Sequence, residues 1–238
     1  MPATILQLSD THLVADRHGH VNERSPDERL RVIVERCIAD RTNLIDLVVL
    51  SGDLSEDGSP ESYQRIAAIL EPLGAEVFAL AGNHDDAGNV AACFGDTVTT
   101  SLAGWSIVAL ETTRPGQVNG GVDLTDALTR IDACAGSSTI VVMHHPPVSL
   151  STHQFFRFEG APQFLTELTD RPHVRVVLSG HLHSAFDLGV EGLRLLGCPS
   201  TLYGISHHGS TYTITRDDGI GARLIGLGDD GSVTTTLV

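Results

Sequence analysis

The feature that most constrains this fold is a repeated punctuation. Short, almost wholly apolar runs each stop at a cluster of polar residues. Leu47-Val48-Val49-Leu50 runs into Ser51-Gly52-Asp53, and Ile140-Val141-Val142-Met143 into His144-His145-Pro146-Pro147. A run with no polar alternation is what a strand buried on both faces of a central sheet requires. Residues 4–8, 76–81 and 174–178 repeat the pattern. They stop at Ser9-Asp10-Thr11-His12, Gly82-Asn83-His84-Asp85 and Ser179-Gly180-His181-Leu182-His183.

Helical patterns fill the intervals. Ser25-Pro26-Asp27-Glu28 reads as an N-cap, a first-turn proline and a capping-box glutamate. Leu30, Ile33, Val34, Cys37 and Ile38 then follow on one face. Ser59-Pro60-Glu61 opens a second helix with Tyr63, Ile66, Ala67 and Leu70 on its apolar side and Gly74 at its end. This β-α-β-α-β alternation implies parallel strands with right-handed crossovers. Residues 98–102 and 105–110 predict a hairpin around Gly104, and 126–134 and 162–168 two further helices. Beyond about residue 186, the segments 193–196, 210–215, 222–227 and 232–237 alternate between turns and read as an antiparallel meander. The expectation is one mixed α/β domain over 1–238, with two sheets packed face to face and helices outside.

Composition narrows the partners. With 15 Lys+Arg against 30 Asp+Glu, the formal charge is −15. Such a chain lacks the basic surface that an extended nucleic acid or an anionic membrane needs. A small anion held by a local cation stays open. The N-terminal segment has no basic region and meets Asp10 early, so it does not read as a signal peptide. The apolar runs are far short of a membrane span. Cys37, Cys93, Cys134 and Cys198 form no CxxC pair and no evident disulfide framework. A cytoplasmic setting is the default expectation.

The chain has 12 His. Six of them, His12, His84, His144, His145, His181 and His183, fall in the strand-end clusters. In α/β sheets, ligands gather beyond the carboxyl ends of strands. Asp10, His12, Asp53, Asn83, His144, His181 and His183 offer imidazole and oxygen donors that suit Mn, Fe or Zn. Seven donors exceed one tetrahedral ion, but they fit two ions if one carboxylate bridges. Such pairs act in phosphate chemistry. The Asp10-x-His12 and His181-x-His183 spacings predict extended backbone with both side chains on one face.

Together these residues resemble the calcineurin-like metallophosphoesterase superfamily. Its pattern stands here as Asp10-Thr11-His12, Gly52-Asp53-Leu54-Ser55-Glu56-Asp57-Gly58, Gly82-Asn83-His84-Asp85, His144, and Gly180-His181-Leu182-His183. The wording His-His-Pro-Pro and Gly-His-Leu-His is most similar to the class III cyclic-nucleotide phosphodiesterase and glycerophosphodiesterase branch. The resemblance implies a four-layer α/β/β/α sandwich. It implies one metal on Asp10, His12, Asp53 and His183, with Asp53 bridging to a second on Asn83, His144 and His181. It further implies catalytic roles for His84, which contacts the phosphate and protonates the leaving alkoxide, and for Asp85, which orients His84. His144 rather than His145 matches the family position. Two divalent ions, two aspartates, a hydroxide activated by the ions and one phosphodiester would make a neutral site.

The expected reaction is hydrolysis of a small phosphodiester. Cyclic nucleotides (3′,5′-cyclic AMP or 2′,3′-cyclic nucleotides) come first and glycerophosphodiesters second. A broad phosphomonoesterase shares the same metal site. A non-catalytic scaffold would be expected to have lost ligands, and all seven stand here. The branch often forms dimers, which leaves a homodimer as an open expectation. Residues 149–161, with His153, Phe155, Phe156, Arg157 and Phe158, read either as a lid carrying aromatic surface and a cation, or as a loop packing on its neighbours. Whether His207 and His208 reach the pocket is also open.

Overall fold

The structure is a computed structural model describing residues 2–39, 44–114, 117–215 and 219–238. Its first third follows the alternation read from the sequence. The elements are β1 (Ala3–Leu8), α1 (Pro26–Ala39), β2 (Leu47–Ser51), α2 (Pro60–Leu70) and β3 (Glu76–Leu80). Strands β1, β2 and β3 pair in parallel. The hydroxyl of Ser25 accepts from the Glu28 amide at 3.3 Å, so it caps α1 as expected. Ser59 caps nothing, because its hydroxyl donates to Asp57 Oδ1 at 2.6 Å. Gly74, at φ 65°, closes a short 3-10 turn that continues α2.

A helix that the pattern did not announce, α3 (Ala87–Phe94), follows the Gly82–Asp85 cluster. It buries only Val90, so it shows no apolar stripe. The available signal was its N-cap, where the Asp86 carboxylate accepts from the Asn89 amide at 2.9 Å. Strands β4 (Thr99–Leu102) and β5 (Trp105–Leu110) form the expected hairpin. Helix α4 (Leu124–Asp132), β6 (Ser138–Met143), α5 (Ala161–Thr169) and β7 (Val174–Ser179) follow.

The C-terminal expectation needs correction. Strands β8 (Phe186–Val190), β9 (Leu193–Gly197), β10 (Gly204–His208), β11 (Thr211–Thr215), β12 (Arg223–Leu227) and β13 (Val233–Leu237) do not form one meander. Two large sheets run β13-β12-β1-β2-β3 and β4-β5-β6-β7-β9-β8, and β10-β11 is a separate two-stranded ribbon. Alternation specifies a strand and its buried face but not its neighbour. Strand β9 pairs in parallel with β7, and β12 pairs antiparallel with β1. Each pairing covers a strand that would otherwise be an open edge.

The two-residue side-chain period of a strand builds the layers. Ile5, Val49, Ile107, Ile140 and Leu178 meet between the sheets. Their neighbours Leu6, Val48 and Leu50 pack outward on Ile33, Tyr63 and Ile66 of α1 and α2. Val108, Val141 and Val177 pack outward on Ile131 and Phe164 of α4 and α5. The result is an α/β/β/α sandwich of two mixed sheets. The carboxyl ends of the central strands meet on one rim. Asp10 N donates to Gly52 O at 2.9 Å, Gly180 N to His144 O at 3.1 Å, and Gln7 Nε2 to Ser179 O across the sheets at 3.1 Å.

Candidate metal centre

Asp10, His12, Asp53, His144, His181 and His183 are all buried on this rim, and Asn83 stands beside them. The backbone that presents them is not the extended chain expected from the spacing. Asp10, His12, Asp53, His181 and His183 have φ of 52°, 48°, 51°, 66° and 47°. Alternate left-handed residues, rather than a strand's pleat, turn Asp10 with His12 and His181 with His183 toward one point. Such conformations disfavour L side chains and persist where the surroundings over-determine them. Here those surroundings include His12 N donating to Asp53 O at 3.1 Å and Ser200 Oγ donating to Asp10 O at 2.7 Å. Gly180 has a different reason to be glycine, since a Cβ there would overlap the Ser9 hydroxyl and crowd Asp10.

Four imidazoles are each held by one ring nitrogen. His12 Nδ1 donates to Glu56 Oε2 at 2.7 Å. His144 Nδ1 donates to Ser51 O and His183 Nδ1 to Tyr203 O, both at 2.9 Å. His181 is reversed, with Nε2 donating to Phe155 O at 2.8 Å. Placing the proton on the outer nitrogen leaves a lone pair on the inner one, which is the state a metal ligand needs. The inner atoms converge. His12 Nε2 and His183 Nε2 are 3.2 Å apart. His183 Nε2 is 3.2 Å from Asp10 Oδ1, and His144 Nε2 lies 3.3 Å from Asp53 Oδ2 and 3.2 Å from Asn83 Oδ1. Two such nitrogens 3.2 Å apart need a proton or a metal ion between them.

The ligand atoms of Asp10, His12 and His183 lie within 4.8 Å of one another, as do those of Asp10, Asp53 and His144. Asp53 also groups with His12 and His84 on that criterion, so it stands between the two halves. Electrostatics agree with a site built for positive charge. Burial works to raise Asp53, but the field and hydrogen bond of His144 outweigh it and hold it well below the usual carboxylate range. Burial works to lower His144, but Asp53 pushes it up to about 9. His181, buried beside His144, falls to about 4. The donor set therefore fits two cations.

One of the expected roles falls elsewhere. The Asp85 carboxylate makes no hydrogen bond to the His84 ring. It accepts from the backbone amides of Gly82 at 2.7 Å, Ser55 at 2.8 Å and Leu54 at 3.1 Å, and from the Tyr63 hydroxyl at 3.1 Å. Asp85 thus pins the Asp53 loop to the Asn83 loop. The carboxylate beside His84 is Glu56, whose Oε2 is 3.4 Å from His84 Nδ1. Glu56 lies inside the Gly52–Gly58 motif, but its role depends on a partner 44 residues away. His145 is buried against His181, with ring centroids 4.2 Å apart. Its Nδ1 is 2.9 Å from Thr112 Oγ1 and its Nε2 has no hydrogen-bond partner.

Above these residues lies a cleft of about 310 Å³. Its floor is His12, Asp53, Asn83, His84, His181 and His183, and its walls include Phe155, Phe156, Tyr203 and the ribbon residues Ile205, Tyr212 and Ile214. Arg157 lines a different groove, with Asn119 and Pro147. His153, His207 and His208 are not on the cleft wall either. The 149–161 segment therefore supplies aromatic surface to the cleft, and its cation points elsewhere. Residues 3–185 match the family described as calcineurin-like phosphoesterase.

The chain belongs to the calcineurin-like phosphoesterase family. It is 34% identical to the 3′,5′-cyclic adenosine monophosphate phosphodiesterase CpdA of Pseudomonas aeruginosa, over 97% of this chain and 88% of that protein. It is 36% identical to a probable cyclic nucleotide phosphodiesterase of Synechococcus, over 84% of this chain and 81% of the relative. A dimetal phosphatase from Danio rerio superposes with a TM-score of 0.69 at 13% identity, covering 99% of this chain and 98% of the other, and so shares the fold. Members of this family depend on two metals. No helix among the described residues is long and apolar enough to cross a membrane.

Proposed function

We propose that this chain hydrolyses a small cyclic nucleotide. In this reading Asp10, His12, Asp53 and His183 hold one metal ion, and Asp53, Asn83, His144 and His181 hold a second. The observation that carries the reading is the arrangement of the four imidazoles. Each has its outer nitrogen tied to a fixed acceptor, the inner nitrogens of His12, His144 and His183 gather with the buried Asp10 and Asp53, and His181 groups with His144. Donors of this kind suit Mn, Fe or Zn. When bound, the ions supply water ionised near neutral pH and positive charge for the phosphoryl oxygens.

The chain's own residues do the rest. Asp53 holds its place through the His84 amide, which donates to Asp53 Oδ1 at 2.9 Å. The His84 side chain is 39% exposed at the mouth of the cleft. Glu56 on its Nδ1 side leaves Nε2 to give a proton to the departing ester oxygen. One P–O bond breaks, and water supplies the hydroxyl to phosphorus and the proton to the leaving alkoxide.

The experiment is a comparison of kcat/KM for 3′,5′-cyclic AMP, 2′,3′-cyclic AMP and a glycerophosphodiester, with protein stripped by chelator and reloaded with Mn²⁺. Metal-dependent turnover with a preference for a cyclic nucleotide is expected. Intact reloaded protein that turns over no diester would overturn the reading.

A further inference from the structure

The ribbon β10-β11 belongs to neither large sheet. A two-stranded ribbon alone is marginally stable in water, so what it is tied to indicates its use. Ile205 N donates to His183 O at 3.3 Å, Ser184 Oγ to Ile205 O at 2.6 Å, and His207 Nε2 to Leu182 O at 3.0 Å. Its turn is held by Thr152 N and Ser151 Oγ, both 2.8 Å from Gly209 O. The ribbon is thus fastened to the loop carrying His181 and His183.

Its two faces differ. The register sets Ile205 opposite Ile214 and His207 opposite Tyr212, so these four share one face. Ser206, His208, Thr211 and Thr213 make up the other. Ile205, Tyr212 and Ile214 of the first face line the cleft above the metal centre. Phe155 joins them, its ring centroid 6.5 Å from that of Tyr212. Among the described residues, ten large apolar side chains are exposed. Three of them, Val118, Phe155 and Ile214, stand around this one cleft. Apolar side chains gathered and left open to water mark a binding surface.

From this arrangement we propose that the ribbon face, together with Phe155, is a shelf for the nucleobase of the substrate. The inference rests on the cyclic-nucleotide reading and deepens it. The metal residues on the floor take the phosphate. The wall above them is aromatic and aliphatic, and among the described residues it carries no Lys or Arg. Such a wall has nothing to hold a second anionic group, and a flat neutral heterocycle fits its chemistry. A glycerol substituent would leave the same apolar surface wet. The shelf therefore selects nucleoside diesters over glycerophosphodiesters.

The test uses a matched pair of substrates, 3′,5′-cyclic AMP and the 3′,5′-cyclic phosphate of 1-deoxyribose, which has the same diester without a base. Base stacking is worth about 1–3 kcal/mol, so the Mn²⁺-loaded wild type is expected to favour cyclic AMP by roughly ten-fold to a hundred-fold in kcat/KM. In Tyr212→Ala and in Ile214→Ala, neither of which hydrogen-bonds a metal-centre residue, that ratio falls, chiefly through a higher KM for cyclic AMP, while the abasic diester is hydrolysed as before. Tyr212→Phe retains the preference. A wild-type ratio near one, or a ratio unmoved by the two alanine variants, overturns the shelf and leaves the phosphodiesterase reading intact. No turnover of either diester overturns both.

Discussion

Glu56 Oε2 lies 2.7 Å from His12 Nδ1, and the same oxygen is 3.4 Å from Nδ1 of His84. One carboxylate thus faces a ring that points into the metal centre and a ring that points into the cleft mouth. Burial works to raise Glu56, but its hydrogen bond to His12 and the nearby charges hold it low, so it stays an acceptor. Groups that orient a ligating histidine commonly change metal affinity by about ten-fold to a hundred-fold when removed. Glu56→Ala is therefore expected to weaken binding of one ion by that order and to lower kcat. Glu56→Gln, which keeps an acceptor oxygen, loses less. Metal titration by calorimetry checks the first claim, and unchanged affinity in the alanine variant would refute it.

Asp85 is expected to matter for stability. Its carboxylate is the acceptor for three backbone amides and the Tyr63 hydroxyl. Each buried donor left unpaired costs about 1–3 kcal/mol, so Asp85→Ala loses about 3 kcal/mol or more. The measurement is a denaturant midpoint. If Asp85 instead acted by orienting His84, Asp85→Ala would reshape the pH–rate profile at nearly unchanged stability.

The chain's legibility follows from what is local. The buried runs of β1, β2, β6 and β7 and the polar clusters after them are contiguous in sequence, so strand ends and donor residues were readable together. Glu56, Tyr203 and Tyr212 were not, because each acquires its role from a partner on another element. The left-handed backbone at Asp10, His12, His181 and His183 was hidden for a different reason. A spacing of two residues fits both a pleated strand and a chain of alternate left-handed residues, and only the hydrogen bonds across the rim decide between them. The C-terminal hairpins illustrate the same limit. Their alternation identified strands, while the open edges of the two large sheets determined where β9 and β12 paired.

Asp57 gives a pH dependence. It is largely exposed, yet it accepts from Ser59 N at 3.2 Å, Ser59 Oγ at 2.6 Å, Ser55 Oγ at 3.1 Å and Ala15 N at 2.8 Å. Burial opposes ionisation, but these donors together outweigh it and lower the group from its ordinary 3.8. A carboxylate depressed by folding stabilises above its unfolded value and loses that contribution as pH falls through its folded value. Asp57→Ala should therefore be less stable than wild type near pH 7, by about 1 kcal/mol after solvent screening. The gap should narrow below pH 3.8. Urea midpoints across pH check this, and a gap constant with pH would count against it.

His84 makes the sharpest kinetic prediction. Its amide is fixed by Asp53, while its ring is the most open of the imidazoles at the centre. A positioned general acid contributes about 10²–10⁴-fold, and only where the leaving oxygen needs a proton. Cyclic AMP expels an alkoxide, whereas bis-p-nitrophenyl phosphate expels a phenolate that is stable without one. His84→Ala should thus lower kcat on cyclic AMP by about 10²–10⁴-fold and on the nitrophenyl diester by much less. Equal losses on both substrates would mean that the ring binds the phosphate without donating to the leaving group. Glu56→Gln, with wild-type His84 and a weaker acceptor at Nδ1, should show the same leaving-group dependence in smaller degree, because it disturbs the placement of the ring without removing its proton.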